Sequence, residues 1–253
     1  MRRTIGVGVA VLALALQASA ADVSVAVAAN FAMPMQKIAT AFAQETGHKA
    51  VVSLGSTGHF YTQIKNGAPF EVLLAADAAT PQRLEKEGMS VPGSRFTYAV
   101  GRLVLWSSDA GRVDAQAEVL RKGDFQKLAI ANPKLAPYGA AAVEVMTRMG
   151  VMSSVQSRLV QGDNIAQTYQ FVATDNAQLG FVALSQVMVD GRIGRGSAWV
   201  VPAHWHAPLQ QDAVLLSRGQ GHDAARALLT YLKSDKARAI IKSHGYEEAV
   251  VAR

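Results

Sequence analysis

Four short stretches of this sequence share one chemical form: Ala29-Asn30, Ser56-Thr57, Pro137-Tyr138-Gly139 and Asn164-Ile165. In each, an apolar strand-like run gives way to a helical pattern. A helix N-terminus leaves up to four backbone N–H groups without intrahelical acceptors and carries a partial positive charge. Such an end holds an anion without help from Lys or Arg. Asn30 and Thr57 add side-chain donors beside the backbone, and Ser56 stands next to Thr57. The same side chains also serve as ordinary N-caps, and any one stretch taken alone is more often a cap than a ligand site. Helix ends by themselves therefore do not decide function.

Catalytic and metal chemistry find weaker support. Ser56 or Thr57 with His59 is the nearest nucleophile and base pair, and the direction of the following helix points His59 away from the turn. His204-Trp205-His206 places two imidazoles at i and i+2, which share a face if the segment is extended. Against a metal stand only 6 His in the chain and no acid nearby beyond Asp212. Asp77 follows the run Val72-Leu73-Leu74-Ala75-Ala76 at the C-terminal edge of a strand, where α/β sites gather. Its neighbours give it a structural helix-side or hinge role instead. Asp175 and Asp190 fall in turns, and Gly191 to Gly196 is spaced for a turn. No G-x-S-x-G, P-loop or G-x-G-x-x-G occurs.

The elements that position the four turns alternate in type. Strands are expected over 22–29, 49–54, 71–75, 127–131, 178–184 and 197–202, with a short one inside 155–160. Helices are expected over 34–44, 80–87, 138–149, 164–173, 223–234 and 235–243, with a short one after His59. Thr80 reads as a cap with Pro81 at the first helical position. Residues 95–107 read as one extended run, and residues 212–216 as another. Alternating strands and helices imply parallel sheets covered by helices. No Gly-, Ser- or Pro-rich linker divides the chain, so the two extended segments are expected to carry it between lobes. One lobe then takes residues 21–99 and 213–253, the other residues 100–212.

Composition bounds the rest. The chain has 253 residues, 50% hydrophobic and 17% charged, enough for one large or two ordinary domains. Met1-Arg2-Arg3, the apolar run Ile5 to Leu16 and the small residues Ala18-Ser19-Ala20 have the pattern of a cleavable signal peptide over residues 1–20. The run is too short to span a bilayer. With 0 Cys, disulfides, zinc-thiolate sites, a Cys nucleophile and a lipid-anchored Cys are excluded. Removing Arg2 and Arg3 lowers the formal charge of +6 by two, to +4. The remaining charges are scattered, which argues against nucleic acid as a partner.

In order along the chain, VAVAANFAMPMQKIATAFAQETG, GSTGHFYTQIKNGAPFEVLLAAD, AIANPKLAPYGAAAVEVM and GDNIAQTYQFVATDNAQLGFVALSQV resemble the periplasmic molybdate-binding proteins of ABC transporters, over nearly all of the mature chain. NGAPFEVLLAAD is shared broadly by type II periplasmic binding proteins. AANF, GSTG, NPxxxPYG and GDNIAQ point to the molybdate and tungstate branch. The resemblance implies a two-lobed α/β fold, each lobe a mostly parallel sheet flanked by helices, with the ligand cleft between them. It implies a monomeric binding protein, not an enzyme, with no cofactor. Its ligand would be molybdate or tungstate, delivered to a membrane permease from the periplasm.

Carried over position by position, the ligand-binding residues are Ala29, Asn30, Ser56, Thr57, Tyr138 and Ile165. Asn30 stands where many members have Ser; either its NH2 donates to the anion, or its side chain only orients the turn so that its backbone N–H does. Tyr138 and Ile165 would offer backbone N–H groups, so Tyr138→Phe is expected to be nearly silent. A family Tyr whose hydroxyl binds the anion aligns with Ala183, so that contact is missing. A pocket of neutral donors suits a dianion that has only acceptors. Donors alone do not separate molybdate from sulfate or phosphate; cavity size must do so.

Overall fold

The computed structural model describes residues 20–189 and 191–248. The signal-peptide segment and Asp190 lie outside the described residues. Two five-stranded sheets organise the molecule. The first is built from β1 (Asp22–Ala28), β2 (Lys49–Gly55), β3 (Val72–Leu74), β4 (Phe96–Gly101) and a late strand, β12 (Leu209–Leu215), in the order β2-β1-β3-β12-β4. The second takes β5 (Leu103–Ser107), β6 (Leu128–Ala131), β7 (Leu159–Gly162), β8 (Leu179–Ala183) and β11 (Ser197–Val200), in the order β11-β5-β8-β6-β7. A two-residue hairpin, β9 (Met188–Val189) and β10 (Arg192–Ile193), stands apart.

The expected parallel arrangement holds where β-α units repeat. β1 runs parallel to β2 and β3, and β6 parallel to β7 and β8. The strands nearest the crossings run the other way. β12 is antiparallel to both β3 and β4, and β5 to both β8 and β11. The sheets are therefore mixed.

The extended run at 95–107 is two strands, not one. β4 pairs in the first sheet and β5 in the second, so the chain changes sheets at Arg102. It returns through a 3-10 turn at Ala203–Trp205, and β12 joins the first sheet from Leu209.

Helices α1 (Ala32–Thr46), α2 (Thr57–Lys65) and α3 (Ala79–Lys86) cover the first sheet. In α1 the residues Met35, Ile38 and Phe42 fall on one buried stripe. Gly47 ends it in the left-handed conformation, φ 76°, that glycine adopts without steric cost. The helix begins earlier than its periodicity predicts, because a 3-10 turn at Ala29–Phe31 leads straight from β1 into it. Thr80 lies inside α3 and does not cap it. The cap function falls to Asp77, whose carboxylate accepts from the Thr80 N–H (2.7 Å) and hydroxyl (3.2 Å).

A short α4 (Glu118–Lys122) precedes α5 (Pro137–Arg148) in the second sheet's cover, followed by α6 (Met152–Val155), α7 (Ile165–Ala173) and α8 (Leu184–Val187). The strand expected inside 155–160 begins only at Leu159, because residues 152–158 complete α6 and a 3-10 turn. Finally α9 (Asp223–Tyr231) and α10 (Asp235–Ser243) return to the first sheet. Their Ala225, Leu228 and Ile241 share a core with Val23, Val25 and Phe42. The second sheet has its own core around Leu105, Ile130, Val145 and Phe181, which Ala28, Ala29 and Ala76 of the first reach across to join.

Candidate functional site

All six sequence-expected residues line one small cavity between the two sheets. Ala29, Asn30, Ser56, Thr57, Tyr138 and Ile165 surround it, together with Ala28, Gly55, Ala76, Ala136 and Pro137. None of the lining side chains is charged. The cavity is small, with about 10 Å³ open to the centre of a water molecule. An anion held there is stripped of its hydration and must be satisfied by protein donors.

The four turns meet this demand in different ways. Ser56 is the N-cap of α2 yet makes no side-chain capping bond, and its Oγ is buried without a hydrogen-bond partner. A buried hydroxyl left unpaired is costly unless a ligand completes it. Thr57 Oγ1 accepts from the Ala76 N–H at 3.0 Å, so its own proton is available to a further acceptor. Helix α5 opens with Pro137, which has no N–H, making Tyr138 the first backbone donor of that helix. Gly139 must lack a side chain there, since a Cβ would stand 2.1 Å from the Ala131 carbonyl oxygen. At the fourth turn the side chain is a cap: Asn164 Oδ1 accepts from the N–H groups of Ala166 (2.9 Å) and Gln167 (3.1 Å). Ile165 then presents the first N–H of α7.

Of its two expected roles, Asn30 departs from the side-chain one. Its Nδ2 donates to Gln211 Oε1 (2.9 Å) and to the Tyr246 hydroxyl (3.0 Å). Both amide hydrogens are spent inside the protein, so its NH2 is not a free donor. Its carbonyl accepts from the hydroxyls of Tyr246 (2.7 Å) and Ser185 (2.8 Å). What Asn30 keeps for the cavity is its backbone N–H, near the start of the 3-10 turn.

Tyr138 departs as well. Its hydroxyl accepts from Gln211 Nε2 at 3.1 Å, and burial pushes its pKa well up. Gln211, Tyr98, Tyr246 and Ser185 were not singled out from sequence. Gln211, Tyr246 and Ser185 reach Asn30 or Tyr138, and Tyr98 reaches Gln211, from distant chain positions with no local pattern to mark them. At Ala183, the N–H is taken by Gln186 Oε1 (2.9 Å), and Gln186 Nε2 donates to the Ile165 carbonyl (3.0 Å). Ala183 is not part of the cavity wall.

The competing candidates fall outside. His59 is exposed and does not line the cavity. His204 lies in a 3-10 turn, Ala203–Trp205, and His206 in the extended backbone that follows, so strand alternation does not place the two on one face. Among the described residues no group of three or more His, Cys, Asp and Glu is placed to hold a metal ion. Asp77 caps α3, with burial raising its pKa. Asp175, in a turn, accepts from the Ser108 hydroxyl at 2.6 Å.

Cross-cleft bonds hold the lobes together at this point, among them Gly58 N–H to the Leu135 carbonyl (2.9 Å), Ser185 Oγ to the Asn30 backbone carbonyl and Gln211 Nε2 to the Tyr138 hydroxyl. Two mixed sheets around a small, uncharged cavity define a two-lobed α/β protein of the periplasmic binding type. The chain belongs to the family described as bacterial extracellular solute-binding protein, matching it over residues 23–247.

Over 219 residues it is 58% identical to the molybdate-binding protein ModA of Azotobacter vinelandii, covering 87% of each chain. It is 52% identical to the protein of the same name from Rhodobacter capsulatus, over 87% of this chain and 85% of that one. The solved periplasmic molybdate-binding protein of Azotobacter vinelandii matches with a TM-score of 0.87 at 40% identity, covering 90% of this chain and 99% of that one. A sulfate-binding protein of Mycobacterium tuberculosis, at 12% identity and a TM-score of 0.75 over 92% and 88% of the two chains, shares the fold.

Proposed function

We propose that this protein captures molybdate, and tungstate with it, in the cavity between its lobes and delivers the anion to the permease of an ABC transporter. The observation that carries the reading is the Ser56 hydroxyl, buried and unpartnered at a small cavity ringed by helix N-termini. The relatives that match over most of the chain are named for molybdate. In this reading Ser56 and Thr57 donate through their hydroxyls. Ala29, Asn30, Tyr138 and Ile165 donate through backbone N–H groups. A dianion with only acceptors is complementary to such donors, and each charge-assisted bond is worth about 1.5–3 kcal/mol net.

The same proposal has the chain exported by a cleaved signal peptide over residues 1–20 and acting as a periplasmic monomer, by binding and not by catalysis, without a cofactor. Among the described residues no helix is long and apolar enough to cross a membrane. The lobes are assigned as residues 21–99 with 213–253, and residues 100–212. The change of sheet at Arg102 supports the first boundary. For the second, β12 already pairs in the first sheet from Leu209.

Thermal unfolding with molybdate, tungstate, sulfate and phosphate tests the reading. A ligand at 100 times its Kd adds about 2.7 kcal/mol of stability. Molybdate and tungstate are expected to raise the transition strongly. A rise with sulfate or phosphate alone would replace the ligand assignment.

A further inference from the structure

Gln211 is fully buried on β12 and absent from the cavity wall. Its amide nevertheless ties together two of the turns that form the cavity. Oε1 accepts from Asn30 Nδ2 (2.9 Å) and lies 3.0 Å from the Tyr98 hydroxyl. Nε2 donates to the Tyr138 hydroxyl (3.1 Å). Asn30 belongs to the turn after β1 in the first lobe, and Tyr138 to the first turn of α5 in the second.

The backbone around Gln211 is shaped for this contact. The register of β12 against β4 shifts between Gln211 and Asp212, leaving Tyr98 as the extra residue, and such bulges re-aim side chains. A Cβ on Gly101 would stand 2.1 Å from the Tyr138 hydroxyl and 2.6 Å from Gln211 Nε2, so the bare glycine makes room for the bracket.

We propose that Gln211 is a positioning residue for the oxyanion site. It does not touch the anion. It sets the separation between the Asn30 and Tyr138 backbone donors on opposite sides of the cleft, and so the size of anion that satisfies both. This rests on the oxyanion-binding reading above. Donor chemistry is the same for molybdate and sulfate; separation is what discriminates between them, and a rigid amide spanning both lobes fixes separation.

The test compares wild type, Gln211→Met and Tyr138→Phe by calorimetric titration with molybdate and with sulfate, each variant also followed by thermal unfolding. Gln211→Met keeps the bulk of the side chain and removes both hydrogen-bonding ends. It is expected to lose roughly tenfold in molybdate affinity, as is common when an outer-shell partner is removed. The molybdate-to-sulfate affinity ratio contracts with it. Tyr138→Phe removes one arm and moves both quantities in the same direction by less. A purely structural residue would lower the unfolding transition and leave the ratio untouched. An unchanged ratio in Gln211→Met overturns the proposal, and if that variant does not fold, an unchanged ratio in Tyr138→Phe does so. Wild type that binds neither anion overturns the oxyanion reading itself, and this proposal with it.

Discussion

The front and the back of the Asn30 turn are both polar and both buried, and they differ in one respect. At the front, Ser56 Oγ has no partner, and the first turns of several helices line a small cavity. At the back, Asn30, Gln211, Tyr98, Tyr138, Tyr246 and Ser185 satisfy one another in a continuous network. A satisfied buried network rigidifies a fold, whereas an unsatisfied buried group carries a standing cost. The back therefore holds the turns in place, and in the proposed reading the front meets the anion. One residue, Asn30, belongs to both through different atoms: side chain to the back, backbone N–H to the front.

The largest effect expected on the back comes from alkaline pH. Burial raises the pKa of Tyr98, Tyr138 and Tyr246 above the ordinary tyrosine value of about 10. A group whose folded pKa is raised contributes stability that is intact below its unfolded pKa and lost as pH climbs above it. Stability should thus be flat with respect to these groups below pH 10. Above that it should fall by up to about 4 kcal/mol per pH unit for three protons held only by the folded state. Denaturant titrations between pH 9 and 12 measure this slope, and Tyr98→Phe should reduce it by about a third. A shallow slope would mean that the network does not stay closed.

Asn30→Ala is next. It strips donors from Gln211 and Tyr246 inside the core and should cost about 1–3 kcal/mol of stability. Its backbone N–H remains, so a loss of affinity with unchanged stability would place the side chain at the front after all. Tyr138→Phe shares this logic: it leaves Gln211 Nε2 without its acceptor, and the near-silence expected from sequence gives way to a measurable stability loss.

The β-α alternation, the four turns and the residues lining the cavity were legible because each is a local pattern: a strand run, a small or polar residue, a helical stripe. The division of 95–107 was not legible. Arg102 looks like any residue of an extended run, and only the two sheets reveal that Gly101 and Leu103 pair with different partners. Which atom of Asn30 faces the cavity was not legible for a related reason. Its partners are 181 and 216 residues away, and no spacing rule reaches that far. Thr80 was misread at short range, because a Thr-Pro pair resembles a cap while the Asp77 carboxylate a few residues earlier supplies one.

Ser56→Ala probes the front alone. Removing a hydroxyl with no protein partner should leave unliganded stability within about 0.5 kcal/mol. Molybdate affinity should fall by about 1.5–3 kcal/mol, roughly 10- to 150-fold. Calorimetry beside thermal unfolding reads both quantities, and a stability loss comparable to that of Asn30→Ala would erase the distinction between the two sides.

The smallest effect should come from Gly58→Ala, which loads the closure itself. Gly58 donates across the cleft to Leu135, and an added Cβ would lie 3.0 Å from both the Cα and the carbonyl oxygen of Leu135. Backbone does not yield as a flexible side chain does, so the lobes must part by a few tenths of an ångström to accept the methyl. That strain exists only when the cleft is shut. Because the anion is bound only by the shut form, its affinity should drop by about the strain, on the order of 1 kcal/mol or roughly fivefold. Stability of the unliganded protein should hardly change if it rests open. Equal losses in liganded and unliganded stability would instead mean that the lobes are shut without a ligand, and that the cross-cleft bond belongs to the same permanent structure as the network behind Asn30.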